Sequence, residues 1–263
     1  MKSVLITGAY GGMGRQTALC LRDRGYLVFA LDLKTGEAEE GILPITADVT
    51  DAHSVEAAFR AVKEKTDRID FVLHFAGLYM LDSLVEISEN AMRRIFDVNF
   101  HGVFLVNKIF LPLLGKGSRI LITTSELAVL DPLPFTGIYA VTKGALDKYA
   151  YSLRMELQLL GITVSVLRAG AVRTDMLGVS TDALDRFCQS TALYACNAKR
   201  FKKIVERVEA RCVPPEKIAK KCGKLLEKRK LKFAYAINRN PLLLLFECLP
   251  RQLRFFIIRQ ILR

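Results

Sequence analysis

Ser3-Val-Leu-Ile-Thr7-Gly8-Ala9-Tyr10-Gly11-Gly12-Met13-Gly14 opens the chain with a short run of strand formers that breaks into four glycines and passes into the helix-forming stretch Arg15–Arg24. Aliphatic residues in a run of this length suit a buried strand. Strand, glycine turn and helix together form the context of a phosphate-binding loop. Glycines let the backbone approach a pyrophosphate, and the helix N-terminus turns free N–H groups toward it. A tight turn that needs glycine only for its own backbone is the rival account, and the flanking strand and helix favour the phosphate loop.

The next segments extend the pattern. Tyr26–Leu33 is a second buried-strand run and ends at Asp32, 18 residues beyond Gly14. A dinucleotide fold places there the carboxylate that takes the adenosine ribose hydroxyls. Its charge repels a 2′-phosphate, so NAD is favoured; Lys34 can offset that repulsion, which keeps NADP open. Ile42–Ala47 reads as a third strand, leading to Asp48-Val49, with Asp48 a candidate adenine contact, and to Asp51, which can cap a helix over Ala52–Lys65. Ile69–Phe75 is a fourth apolar run closing on Ala76-Gly77. The succession predicts an α/β fold with a mostly parallel sheet covered on both faces.

Ile87–Leu114 reads as a long helix or a broken pair with Asn99 inside it and Gly102 three residues on. An asparagine among apolar neighbours must satisfy its amide, as a core polar group or as part of a proton path. Arg119–Thr124 is a fifth strand that delivers Ser125 to its carboxyl end, where sites gather in open α/β sheets. Thr163–Leu167 is a sixth, followed by Gly170, Val172 and Thr174. Between them, Tyr139 and Lys143 stand four apart on one predicted helix and share a face. A free phenol ionises near pH ~10, and an ammonium beside it brings that proton within reach of neutral-pH acid–base work. Tyr139 is the candidate proton donor and acceptor.

Composition narrows the class. Residues 199–263 hold 19 Lys and Arg against 5 Asp and Glu, net +14, so the +12 of the whole chain leaves residues 1–198 at −2. Six cysteines without a C-x-x-C pair and three scattered histidines give no zinc site or redox dithiol, so no metal is expected, and the reduced cytoplasm is the expected setting. The apolar run in Met1–Gly8 is too short for a signal peptide, and no run approaches the ~20 residues of a membrane span. The lysines of 199–232 read as solvated helix faces rather than a nucleic-acid site.

Together these residues resemble the short-chain dehydrogenase/reductase superfamily from about Lys2 to Asp175. Thr7-Gly8-x-x-x-Gly12-Met13-Gly14 is similar to its cofactor loop, and Asn99-x-x-Gly102, Ser125 and Tyr139-x-x-x-Lys143 are similar to its catalytic tetrad. The resemblance implies a single Rossmann-type doubly wound domain of about seven strands, an NAD(P) cofactor, and a homodimer or tetramer. It implies that Tyr139 exchanges the proton while hydride moves to or from nicotinamide. Lys143 would hold the ribose and lower the phenol pKa, Ser125 would bond the substrate oxygen, and Asn99 would seat a relay water. Asp48, Val49, Ala76 and Gly77 complete the cofactor-binding set, with Val172 and Thr174 matched to the nicotinamide-carboxamide contacts.

Three departures stand out. His74-Phe75-Ala76-Gly77 replaces the family's Asn-Asn-Ala-Gly, which implies a local rearrangement. Arg168-Ala169-Gly170 lacks the usual Pro before Gly. Ser125 precedes Tyr139 by 14 residues, where 13 is commoner and would put Glu126 in the serine's place; the ungapped strand Arg119–Ser125 keeps Ser125.

The domain is expected to span 1–240, with a helical lid over about 176–213, a helix from Pro215 to about Lys228 and a seventh strand at Lys232–Ile237. Residues 241–263 form an apolar, arginine-rich extension in which Leu253, Ile257 and Ile261 make one helical stripe, while Phe255, Ile258 and Leu262 share their arc with Arg254, Arg259 and Arg263. That tail fits an anionic membrane surface, the domain's own core or a second subunit. Its character resembles the steroid- and retinol-active branch, and Leu133-Pro-Phe-Thr-Gly-Ile138 suits an apolar substrate wall. The expected activity is alcohol–ketone or alcohol–aldehyde interconversion on a bulky apolar substrate. A reductase of carrier-borne acyl groups and a dinucleotide-sensing regulator are the alternatives.

Overall fold

Alternation along β1 (Ser3–Thr7) sends Val4 and Ile6 to one side and Leu5 to the other, and all three are fully buried. A strand apolar on both faces needs cover on both. In the computed structural model, which describes residues 1–174, 184–209 and 211–263, β1 lies inside a seven-stranded sheet. The remaining strands are β2 (Leu27–Asp32), β3 (Ile42–Thr46), β4 (Phe71–His74), β5 (Arg119–Ser125), β6 (Thr163–Ala169) and β7 (Ala234–Ile237). Every pairing is parallel, in the order β3-β2-β1-β4-β5-β6-β7. The mostly parallel sheet expected from sequence is thus wholly parallel.

One face packs on α2 (Ala52–Lys63), α4 (Gly102–Phe110) and α5 (Gly137–Leu157), through Val55, Val106, Phe110 and Leu146 among others. The other packs on α1 (Gly12–Arg22) and α8 (Pro215–Glu227), through Ala18, Leu21, Ile218 and Leu225. Each fully buried Leu, Ile or Phe contributes roughly 1.5–3 kcal/mol. Asp51 caps α2 by accepting the His53 N–H. The stretch 87–114 is, as one of the two expectations had it, one long helix, interrupted only in its winding: α3 (Glu89–Phe96) runs into a π-helical segment, Asp97–His101, and then into α4. Asn99 lies within the π segment. Such segments re-aim helix side chains and recur at functional sites.

Beyond β6 lie α6 (184–190) and α7 (Ala195–Glu209); residues 175–183 and 210 of the expected lid fall outside the described residues. The tail is two helices, α9 (Pro241–Glu247) and α10 (Arg251–Leu262), separated at Pro250. Leu262 joins Leu81, Leu184, Phe187, Ala198 and Phe201 in a third apolar cluster, with Ile258 packed against it. The arc of α10 turned inward is therefore Arg254–Ile258–Leu262. The wholly apolar stripe is the less buried one, with Leu253 and Ile261 exposed. A buried arginine made the inner face illegible as a stripe, and its charge is met by Asp131 and Glu247, at 3.0 and 2.9 Å. No helix among the described residues is long and apolar enough to cross a membrane.

Candidate active site

The chain runs outward from β1 through β2 to β3 and returns to β4 on the other side of β1, which leaves a crevice at the carboxyl ends of β1 and β4. The glycine loop fills that crevice. Gly8 has a φ of +66°, and a Cβ there would lie 2.5 Å from the Ala76 nitrogen; a Cβ on Gly14 would lie 2.0 Å from the Gly8 carbonyl oxygen. Only glycine fits at either position. Gly12 lies against the Thr174 side chain, which brings the loop after β6 onto the loop after β1. Thr7 is buried and its hydroxyl accepts the Ala76 N–H at 3.4 Å, so it braces β1 against β4.

Asp32, at the end of β2, accepts the Tyr10 N–H at 2.8 Å and the Leu33 N–H at 2.7 Å and thus faces the glycine loop. The Asp48 carboxylate accepts from both the N–H and the hydroxyl of Thr50, stiffening the turn that carries Val49, whose side chain packs where a Gly102 Cβ would stand. Arg15 stands 5.7 Å from the Tyr10 ring centroid and is ion-paired with Glu39.

Ser125 is the last residue of β5, paired in register with Ala169. After β5 the chain passes Pro132 and Pro134, reverses at Phe135 with a φ of 65°, and enters α5 at Gly137, which places Tyr139 in the first turn and Lys143 one turn deeper. The Ser125 hydroxyl accepts the Leu127 N–H at 3.2 Å and lines the same cavity as the Tyr139 phenol, whose pKa it lowers. Lys143 is buried, donates to the Thr123 carbonyl at 3.4 Å and lies 5.7 Å from the Tyr139 ring centroid. Asn99 accepts the Leu78 N–H at 2.6 Å and donates to the Leu78 carbonyl at 2.9 Å and to the Thr142 hydroxyl at 3.1 Å. Asn99 and Lys143 both flank Gly77, at 3.2 and 3.4 Å from where its Cβ would be.

Electrostatics departs from the sequence expectation in one respect. Burial pushes the Tyr139 phenol up to about 12, opposed by Ser125, and pushes Lys143 down to about 8. Desolvation penalises the charged form of each group. The phenol is therefore held as a protonated donor rather than poised to ionise.

A cavity of about 180 Å³ opens beside these groups, lined by Met13, Gly77, Ser125, Tyr139, Val172 and Thr174 and also by Leu133, Phe201, Val205 and Leu243. Tyr79, which packs edge-on against Tyr139 with centroids 4.7 Å apart, also lines it. Sequence reading missed Tyr79, Thr142 and Leu243, since none sits in a motif; the aromatic just after Ala76-Gly77 was the one usable signal for Tyr79. Glu126 lines the cavity as well, but its carboxylate accepts the Asn240 N–H at 2.7 Å, while it is Ser125 that acts on the phenol pKa.

Both departures at strand ends have a structural answer. His74 Nε2 lies 2.9 Å from Asn107 Oδ1, and Asn107 donates to the Tyr149 hydroxyl at 3.4 Å, so an amide on α4 binds the strand from outside it. Arg168 forms a paired contact with Asp147 of α5, at 3.0 and 2.7 Å, which ties β6 to the helix carrying Tyr139 and Lys143.

Known proteins share this fold. The short chain dehydrogenase family profile matches residues 2–185. 3-Ketodihydrosphingosine reductase of Bacteroides thetaiotaomicron is 26% identical over 228 residues, 81% of this chain and 85% of that protein. Estradiol 17-beta-dehydrogenase 2 of Mus musculus is 34% identical over 197 residues, 70% of this chain and 51% of that one. Among solved structures, a short chain dehydrogenase family protein from Francisella tularensis superposes with a TM-score of 0.74 at 21% identity, covering 90% of this chain and 96% of that one. The 3-ketoacyl-(acyl-carrier-protein) reductase of Brucella melitensis complexed with NADH superposes with a TM-score of 0.72 at 22% identity, covering 90% and 95%. With its glycine cradle, all-parallel sheet and family match over most of its length, the chain belongs to the short-chain dehydrogenase/reductase family of oxidoreductases.

Proposed function

We propose that this oxidoreductase interconverts a secondary alcohol and ketone, or an alcohol and aldehyde, on a bulky apolar substrate such as a steroid, retinoid or other lipid, with NAD the favoured cofactor. The observation that carries the reading is the mostly apolar cavity that Ser125, Tyr139 and Lys143 line together, with the Lys143 ammonium 5.7 Å from the Tyr139 ring centroid. The named activities of the sphingoid-base reductase and estradiol dehydrogenase relatives support an apolar substrate.

The residues present fit a dinucleotide. Gly8, Gly12 and Gly14 leave no room for side chains where backbone must meet a pyrophosphate, Asp32 stands at the ribose end, and Val172 and Thr174 border the cavity at the other. Bound there, a nicotinamide supplies or takes up hydride. Tyr139 donates its phenol proton to the carbonyl oxygen or recovers it from the alcohol, Ser125 hydrogen-bonds that oxygen, and Lys143 supplies positive charge toward the phenol and ribose. Asn99 fixes the segment Gly77–Leu78; the family resemblance gives it the further role of seating a proton-relay water.

The outer side of the tail favours an anionic membrane partner. Leu242, Leu245, Phe255, Phe256 and Ile261 are exposed beside exposed Arg251, Arg259 and Arg263. Each arginine near an anionic surface contributes roughly 1 kcal/mol while apolar side chains enter the headgroup boundary. Exposed Phe104, Val141, Tyr151 and Met155 on α4 and α5 suit the homo-oligomer expected from the resemblance. Oxidation of NADH and NADPH with a panel of steroid, retinoid and acyl-thioester carbonyls tests the substrate class. Turnover of acyl thioesters alone would move the function to a carrier-type reductase, with the basic last quarter as the docking face.

A further inference from the structure

Helix α9 is anchored at both ends to the loops that form the active-site cavity. At its start, the Asn240 N–H donates to Glu126, the neighbour of Ser125, at 2.7 Å; two residues earlier, the Asn238 amide donates to the Ala171 carbonyl at 2.8 Å. Asn238 holds a φ of 54°, a left-handed conformation that only a few side chains tolerate, so this connection is shaped to meet the loop after β6. At its end, Glu247 pairs with Arg254 of α10 at 2.9 Å, and Arg254 pairs with Asp131 at 3.0 Å, in the loop between Ser125 and Tyr139. Arg254 is only 8% exposed. Between these anchors, Leu243 lines the same cavity as Tyr139 and Ser125.

We propose that α9 is a fixed wall of the substrate cavity, that Leu243 sets how long an apolar substrate can be, and that Arg254, with Asp131 and Glu247, is a positioning residue holding this wall in register with the loop leading to Tyr139. The physical argument concerns what a buried arginine demands. A guanidinium in an apolar setting is retained only where carboxylates meet it, and removing one partner leaves an uncompensated charge. One guanidinium thus links Glu247 of α9 to Asp131, which ties α9 to the loop that carries residue 131. Leu243 then presents a branched side chain at a set depth, and a change of one or a few methylene groups in such a pocket alters discrimination by roughly tenfold or more.

This inference rests on the proposed carbonyl chemistry, and its test separates the two. Full-length protein is assayed with NADH and NADPH on straight-chain methyl ketones from butanone to dodecanone, and the long-to-short ratio of kcat/KM is read. Leu243→Ala should raise that ratio and Leu243→Phe lower it, each by roughly tenfold. Arg254→Met should flatten the chain-length profile with the cofactor Kd, from fluorescence titration, unmoved, and Arg254→Lys should restore it in part. Binding of the apolar dye anilinonaphthalene sulfonate provides a readout without turnover: Leu243→Phe should weaken it. Profiles and dye affinity that ignore both Leu243 variants overturn the wall, and a wild-type profile in Arg254→Met overturns the positioning role. If wild type reduces no ketone while dye affinity follows Leu243, the substrate reading fails and the wall stands.

Discussion

Asn99 and Leu78 hold each other through both backbone groups of Leu78, the N–H donating to Oδ1 at 2.6 Å and the carbonyl accepting from Nδ2 at 2.9 Å. Asn99→Asp keeps the acceptor and removes the donor, leaving the Leu78 carbonyl and the Thr142 hydroxyl without it. A loss of ~1–3 kcal/mol in urea unfolding is expected, together with lower turnover, because Gly77, Leu78 and Tyr79 line the cavity. Wild-type values for both would mean that the latch carries nothing.

The two neighbours at the end of β5 should behave differently. Tyr139→Phe removes the phenol proton and should slow turnover by ~10²–10⁴-fold with cofactor affinity kept. Ser125→Ala should act on the same chemical step. Glu126→Gln, which retains an acceptor for the Asn240 N–H, should cost less than Ser125→Ala. Single-turnover rates at saturating cofactor distinguish them, and the opposite ranking would hand the serine's role to Glu126.

Cofactor choice turns on Asp32. Asp32→Ala should raise the Michaelis constant for NAD and narrow the preference over NADP, since the carboxylate that accepts from Tyr10 and Leu33 is gone. Wild-type preference for NADPH would mean that Arg15 leaves Glu39 to take a 2′-phosphate.

Acid stability should depend on His74. Burial lowers its pKa from 6.5 to about 4. Between those values the unfolded chain binds a proton that the folded chain does not, so stability rises with pH across this window and is lost as pH falls through it. That difference is worth about 3–4 kcal/mol. His74→Asn should flatten Tm between pH 6.5 and 4; an unchanged slope would locate acid sensitivity elsewhere.

Vesicle flotation tests the tail. Binding to phosphatidylserine vesicles at low salt and release at high salt are expected, with weaker binding in Phe255→Ser/Phe256→Ser. A truncation at Asn240 is the wrong probe, because Leu243 and Leu262 contribute to the cavity wall and the third apolar cluster. Equal flotation of the double variant and wild type would remove the membrane from the account.

What could be read in the sequence was local. The glycine pattern and Tyr139–Lys143 depend on residues a few positions apart, so backbone rules suffice for them. Ser125 was legible because Arg119–Ser125 is an unbroken strand. Arg254 was not, since its burial depends on Asp131, far away in sequence, and a lone arginine among apolar residues reads as a defect in a stripe. Asn107 was likewise hidden: its partner His74 is on another element, and the departure at His74 announced a change without saying what would answer it. The phenol and ammonium shifts also lay beyond reach, because they follow from burial, which only the assembled cavity creates.

The placement of β1 between β2 and β4 also bears on the order in which the molecule can form. β1 cannot satisfy both its edges until residues 71–74 exist, and β4 in turn waits for β5, which begins at Arg119. Pairings of such long sequence separation make folding slow. An incomplete chain exposes an unpaired, largely apolar central edge, so newly made protein is open to aggregation until β5 has been added.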